Sequence, residues 1–248
     1  MYADVIIVAV EEVSVAAFYR FYPLPNFAAM RQPLFELGAA EGLRGSVLLA
    51  SEGVNGTVSG SRSGIQLLLE WIVRQSGMPP IEAKWSACTE HPFGRWKARL
   101  KMEIVALKAE SADPCLHPGR YAGPAEWNAL LQDPAVTVVD VRNSFELAYG
   151  MFPGSVDPGT LDFCEFAEYA NSHFQDRSKP IAMYCTGGIR CEKAAAFLAA
   201  RGYENVTQLH GGILGYLEHV PQDENRWQGA CFVFDERVAL GPDLKPIG

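Results

Sequence analysis

Apolar positions fall into short runs that alternate with amphipathic stretches along most of the chain. Ala3–Val10 is an apolar run stopped at strand length by Glu11-Glu12, and it predicts a first strand. Helical spacing follows near Phe27–Glu41, strands over Gly45–Ala50 and Gly56–Gly60, and a second helix over Gly64–Gln75. Ser61 and Ser63 are candidate caps for that helix, and Gly77-Met78-Pro79-Pro80 stops it. Asn55-Gly56 suits a positive-φ turn between the two middle strands. Strands near Ile81–Trp85 and Ala98–Leu107 complete a β-α-β-β-α-β pattern with one strand more. Two split units of this kind make an α+β sandwich, with helices on one face of an antiparallel sheet.

The pattern lapses from Lys108, where Asp113-Pro114 and His117-Pro118-Gly119 mark loop, so residues 1–110 read as a domain and 111–122 as a linker. Beyond it, Thr137–Val141, Ile181–Tyr184 and Asn205–Gln208 are short and apolar on both faces, which predicts a buried parallel sheet. Helices such as Glu192–Ala200 separate these strands, and Gly202 closes that helix. This second domain covers 123–220. The tail, 221–248, holds Trp227 and Cys231-Phe232-Val233-Phe234, too apolar to stay in water, and is expected to pack back on the domains. The fold class is α/β: a ferredoxin-like (acylphosphatase-like) α+β domain followed by an α/β domain with a parallel central sheet.

Composition narrows the function classes. The 248 residues are 48% hydrophobic, enough for real cores, and no apolar stretch approaches a membrane span. The N-terminal run has no basic residues before it and no small-residue cleavage site after it, so a cytoplasmic protein without membrane partners is expected. The formal charge of −8 argues against wholesale nucleic-acid binding, yet it is uneven. Residues 1–110 hold 11 Lys/Arg and 11 Asp/Glu, the remainder 10 and 18, which places any RNA contact on the first half or at the junction. The six cysteines (Cys88, Cys115, Cys164, Cys185, Cys191, Cys231) form no regular framework and no zinc quartet, so reduced thiols and no metal are expected.

One cysteine stands in a chemical context. Cys185-Thr186-Gly187-Gly188-Ile189-Arg190 follows the apolar run Pro180–Tyr184 and precedes an Ala-rich helix. A strand would deliver the sulfur to a loop whose glycines let N–H groups turn inward, with a helix N-terminus aimed at any charge on it. A phosphatase loop of the C-x5-R kind needs one residue more to cradle a tetrahedral phosphate. The shorter loop suits a persulfide, with Arg190 holding the loop or orienting an anionic donor. An inert turn after a strand is the bland alternative.

Residues from about Gly123 to Val220 resemble a rhodanese domain: Asp140-Val141-Arg142 with Glu146, Gly150-Met151-Phe152-Pro153-Gly154-Ser155-Val156, and the closing turn Leu209-His210-Gly211-Gly212-Ile213. Over nearly the full length the chain resembles the bacterial tRNA uridine hydroxylase family. Leu48–Thr57, the Cys185–Lys193 segment and Trp227-x-Gly229-x-Cys231-Phe232-Val233-Phe234-Asp235 carry that resemblance. It implies oxygen-dependent formation of 5-hydroxyuridine at the wobble position (34) of tRNA, with Cys185 as persulfide intermediate, molecular oxygen as co-substrate, and tRNA and a sulfane-sulfur donor, protein or small molecule, as partners. Many members continue into a cysteine-rich tail that could bind metal; here only Cys231 stands in that region, so no structural metal is expected.

The residues themselves carry persulfide chemistry but no oxygen chemistry: no two-His-one-carboxylate set, no flavin or nucleotide fingerprint, and no cofactor signature. A thiosulfate-type sulfurtransferase or sulfur relay, and a non-enzymatic RNA-binding or redox-sensing adaptor, therefore stay open. Two auxiliary candidates accompany Cys185. Cys191 could resolve a persulfide or simply pack at the helix start. Arg142 could face the loop or pair with Glu146 or Asp140 at the strand exit. In the first domain, Lys97, Arg99 and Lys101 alternate with Ala98, Leu100 and Met102, which places three cations on one strand face. With Arg95, Lys84 and Trp96 near in sequence, they are the candidate tRNA contact, against the plainer reading of a charged edge strand. Glu52–Gly56 is either a further functional loop or a tight turn.

Overall fold

The computed structural model describes residues 12–109 and 112–247, so the strand expected over Ala3–Val10 lies outside the described residues. The N-terminal domain runs β1 (Val13–Phe21), α1 (Phe27–Ala40), β2 (Arg44–Ala50), β3 (Gly53–Gly60), α2 (Arg62–Ser76), β4 (Ala83–Cys88) and β5 (Trp96–Leu100). Its sheet has the order β4-β1-β3-β2-β5, antiparallel except where β5 runs parallel to β2 at the edge. Helix α2 starts as its sequence predicts: the Ser61 hydroxyl accepts the Gly64 N–H at 3.1 Å, and Gly77 ends it in the left-handed region at φ 71°.

Side-chain alternation divides this sheet into two faces. Ala16, Phe18, Val47, Leu49, Val54, Val58 and Ala98 pack with Leu34, Ile65, Leu68 and Ile72 of the two helices to form the core. The opposite face carries no helix. Register lays Lys84, Ala17, Thr57, Ser46 and Lys97 in one row across it, and Tyr19, Asn55, Leu48 and Arg99 in the next.

Two turn and strand expectations are corrected. Ser51-Glu52, not Asn55-Gly56, turns the chain between β2 and β3. Gly56 sits within β3, where an added Cβ would come within 2.7 Å of the Phe18 ring and 3.1 Å of the Ser46 carbonyl; the glycine answers close packing, not a positive φ. The last strand stops at Leu100 instead of running to Leu107. Ala98 is buried, but Leu100 and Met102 are 42% and 91% exposed, because Ile104 and Leu107 turn away to be buried elsewhere.

The second domain comprises β6 (Arg120–Ala122), α3 (Pro124–Gln132), β7 (Thr137–Asp140), α4 (Ser144–Leu147), β8 (Gly150–Met151), α5 (Phe166–His173), β9 (Ile181–Tyr184), α6 (Ile189–Ala199), β10 (Val206–Leu209) and α7 (Gly212–His219). Strands β6-β10-β9-β7 form an all-parallel sheet. Strand β6 lies inside the stretch 111–122 read as linker; at three residues it is too short to show a period in sequence. In β9, Ile181 and Met183 face one core with α5 and α6, and Ala182 and Tyr184 face the other with α3 and α7. Burial on both sides explains its unbroken apolar run.

The tail adds β11 (Gln228–Gly229) antiparallel to β8, then β12 (Cys231–Phe232) paired with β13 (Ala239–Leu240). Trp227 enters an aromatic cluster with Phe152, Tyr184 and Tyr216. Arg237 pairs with Asp235 at 2.6 Å and donates to Ser86 Oγ of β4 at 2.7 Å, so the tail touches both domains.

A buried lysine joins the domains. Lys193 of α6 pairs with Glu52 at 2.7 Å and with Glu103, and donates to the Val105 carbonyl at 3.1 Å. Glu52 also accepts the Ile104 N–H at 2.7 Å, so this turn residue acts as a joint. Removing the cation leaves two partly buried carboxylates facing each other without a counter-charge. Lys193→Met is expected to cost about 3 kcal/mol, read as a lowered urea midpoint; an unchanged midpoint would refute the joint.

Candidate active site

Strand β9 ends at Tyr184, and the next residue places its sulfur beneath the turn that starts α6. Gly188, at φ 102°, aims its N–H at Cys185 Sγ over 3.2 Å. The backbone N–H and the thiol of Cys191 also point to this sulfur. Two observations explain the glycines. A side chain at Gly188 would be strained and would meet the Tyr19 hydroxyl at 2.8 Å, and one at Gly212 (φ 64°) would meet the Cys185 carbonyl at 2.4 Å. The start of α7 therefore packs directly on the loop. There the N–H groups of Ile213 and Leu214 take up the carbonyls of Cys185 and Thr186 at 2.9 and 3.0 Å. With those carbonyls taken up by α7, the Gly188 N–H is left facing the sulfur.

Arg190 makes a two-pronged buried pair with Glu146, one contact at 2.8 Å, and also donates to Thr186 Oγ1 at 3.3 Å. Glu146 has no exposed surface and accepts the Asn143 N–H at 3.0 Å. Arg190 thus braces the loop while its charge remains near the sulfur.

Burial by itself would push the Cys185 thiol up. The Cys191 thiol, the Arg190 charge and the N–H groups of Cys191 and Gly188 outweigh it and hold the pKa down to about 6. Cys191 shifts the other way: burial, then its hydrogen bond to Cys185, raise it, so it remains a neutral donor. A lowered pKa means the thiolate predominates above it, roughly nine-tenths at pH 7. Alkylation of Cys185 by iodoacetamide, followed by peptide mass spectrometry, should therefore reach half its plateau rate near pH 6. A midpoint at or above about 8.5, that of an ordinary thiol, would contradict this electrostatic account.

Cys185 is shielded from bulk solvent, and a cavity of about 470 Å³ between the domains reaches it. This is the size range of small-molecule sites. Its floor is Cys185, Thr186, Gly187, Ile189 and Arg190; its roof is the helix-free face of the N-terminal sheet, including Ala17, Tyr19, Ser46, Asn55 and Thr57. The tail closes one side with Val233, Phe234 and Arg237. Sequence reading misses this roof. The alternation of small and polar residues on β1 to β3 is its signal, but only once those strands are known to leave one face uncovered.

The remaining candidates separate. Arg142 does not face the loop: its guanidinium pairs with Asp140 at 2.6 Å, donates to the Gly150 carbonyl at 2.7 Å and lies over the Trp227 ring, all without exposed surface. It ties the strand exit to the tail. Lys84 is not grouped with Arg95 and Lys97, because β4 and β5 are opposite edges of the sheet, about 19 Å apart at four strand spacings. It lines the Cys185 cavity instead, with Nζ 5.5 Å from the Tyr19 ring centroid and no ion-pair partner among the described residues. Burial lowers its pKa, and Cys185 is the foremost charge opposing that. Trp96 is no free stacking surface, since its ring packs on Gly38 and its Nε1 donates to the Phe35 carbonyl at 3.0 Å. Arg95, Arg99 and Lys101 are exposed and Lys97 half-buried, with Lys97 and Arg99 on the cavity side of the sheet. Among the described residues no three His, Cys, Asp or Glu side chains converge as a metal-ligand set, and no helix is long and apolar enough to cross a membrane.

Comparison with known proteins agrees with this two-part architecture. Residues 13–104 match the family model described as UPF0176 acylphosphatase like domain, and residues 123–219 match that of the rhodanese-like domain. The chain is 49% identical over 93% of its length to the tRNA uridine(34) hydroxylase of Brucella ovis, covering 76% of that protein. It is 47% identical over 94% to the tRNA uridine(34) hydroxylase of Mesorhizobium japonicum, again covering 76%. With this identity sustained over a length that takes in both domains, the chain belongs to the tRNA uridine(34) hydroxylase family.

Proposed function

We propose that this protein is a cytoplasmic tRNA-modifying enzyme that hydroxylates C5 of the wobble uridine (position 34), with Cys185 carrying a persulfide at the floor of the inter-domain cavity. The observation that carries this reading is the placement of a thiolate among inward-facing amides directly beneath a base-sized space. The donor is a sulfane-sulfur compound or a protein persulfide. With thiosulfate as the simplest donor, the Cys185 thiolate attacks the outer sulfur, a Cys–S–S bond forms, the donor's S–S bond breaks, and sulfite leaves with the electron pair. The Gly188 and Cys191 N–H groups and the end of α6 then hold the terminal charge. Molecular oxygen, the co-substrate the family resemblance implies, supplies the hydroxyl oxygen, and its second atom leaves as water with two electrons and two protons from a thiol-class reductant.

A sulfurtransferase shares the loop and would need only room for a small anion. The sheet roof argues for a larger substrate, since Asn55, Thr57 and Ser46 add polar groups over the sulfur that an anion donor does not require. Incubating the protein with undermodified tRNA in air, with thiosulfate and a low-molecular-weight thiol as reductant, and digesting the RNA for nucleoside mass spectrometry should yield 5-hydroxyuridine, and none without oxygen. Rapid cyanide-dependent thiocyanate release with no modified uridine would assign a sulfurtransferase instead. Tight tRNA binding with neither product would assign an adaptor.

A further inference from the structure

The tail presents an aromatic cluster that the chemistry at Cys185 does not use. Phe232 meets Phe145, Tyr149 and Phe234 with ring centroids 5.3, 5.1 and 5.0 Å apart. Phe234 is 66% exposed and Phe145 49% exposed. Alternation explains the outward rings: Cys231 and Val233 are buried, so Phe232 and Phe234 between and after them point the other way. The Asp235–Arg237 pair and the bond from Arg237 to Ser86 anchor the segment. An anchored, contiguous patch of large rings left in water marks a binding surface.

A depression of about 730 Å³ adjoins this patch, lined by Phe93, Arg95 and Lys97 from the N-terminal domain and by Phe232, Phe234 and Glu236 from the tail. It borders the cavity over Cys185, since Ser46, Val233, Phe234 and Asp235 line both. The repulsion of Arg95, then partial burial and Arg99, lower the Lys97 pKa, the mark of cations crowded together. Asp235 is neutralised by Arg237, which leaves Glu236 as the one uncompensated acid on this wall. The result is a stacking face beside two cations, next to the Cys185 cavity. This pairing suits single-stranded nucleic acid.

We propose that this depression is the subsite for the nucleotide next to the target uridine, its base stacked on Phe234 and Phe232 and its phosphate against Arg95 and Lys97. The target base then turns out of the RNA stack into the Cys185 cavity, as enzymes acting on bases require. This inference rests on the tRNA reading above and adds where the flanking nucleotide sits.

The test uses an anticodon stem-loop RNA with 2-aminopurine beside the target uridine. Stacking on the rings should quench its fluorescence on binding to the wild-type protein. Phe234→Ala should remove most of the quench and weaken binding about 5- to 150-fold, the range for losing one base–aromatic stack, whereas Phe234→Trp should stay within about threefold. The double variant Arg95→Ser/Lys97→Ser should lessen the salt dependence of affinity. Wild-type affinity, quench and salt slope in these variants would overturn the subsite while leaving the activity in place. Rings that serve instead to pair two copies of the chain would show as self-association lost in Phe234→Ala with RNA affinity unchanged, which also overturns it. If the wild-type protein neither binds nor modifies tRNA, the tRNA reading itself fails.

Discussion

Cys185→Ser should abolish 5-hydroxyuridine formation while the protein stays folded. A serine hydroxyl fits the same space and can still accept the Gly188 N–H that now lies 3.2 Å from the sulfur, so the loop keeps its shape. Such a near-isosteric change should alter stability by less than about 1.5 kcal/mol. The chemistry does not survive, because an un-ionised hydroxyl cannot take up a sulfane sulfur, and the loop's charge stabilisation then has nothing to act on. Activity should fall by at least about 10³-fold, as expected for loss of a covalent nucleophile. Nucleoside mass spectrometry of tRNA from cells depending on the variant reads the product, and thermal melting reads the fold. Normal 5-hydroxyuridine in that strain would remove Cys185 from the reaction.

Glu146→Gln should be strongly destabilising to the second domain. The Arg190 guanidinium would keep its full charge with only neutral partners, at a site where Glu146 has no exposed surface and Arg190 almost none. Stranding one charge of a buried pair costs about 3–5 kcal/mol. The damage also reaches the active site, since Thr186 loses a bond to Glu146 Oε2, 3.3 Å from its hydroxyl, and Arg190 is freed from the loop it braces. Urea unfolding should show the midpoint falling sharply. Replacing both partners, Glu146→Met with Arg190→Met, should recover much of the stability but not the activity, because an apolar pair can fill the space without bracing the loop or supporting the thiolate. If Glu146→Gln left the urea midpoint and the activity unchanged, the pair would be neither structural nor supportive.

Chain features read correctly from sequence share one property: their causes lie within a few residues. Helix α2 is announced by Ser61 and Gly77, which cap it in the structure as they do on paper. The Cys185 loop is legible because strand, glycine at φ 102° and helix start follow one another without a gap. The errors share the opposite property. Asn55-Gly56 has the composition of a turn, but Phe18 on the neighbouring strand sets the need for glycine. Lys84 and Lys97 are near in sequence and end the same cross-strand row from opposite edges, because β1, β3 and β2 insert between their strands. Arg142 reads as a candidate for the loop until the tail brings Trp227 over it.

From the order of its residues alone, this chain determined its two-part α/β architecture and the strand–glycine–helix turn that carries Cys185, since backbone preference and hydrophobic period act over short spans. Tertiary structure decided what the cysteine faces. The roof of the cavity is the sheet face that α1 and α2 leave bare, held over the loop by Lys193 between Glu52 and Glu103 and by Tyr19 on Glu192 at 2.7 Å. Strand order and domain docking are the joint outcome of many distant contacts, none of which leaves a spacing in the sequence, and they alone bring Lys84, Asn55 and Phe234 of the tail to the same opening.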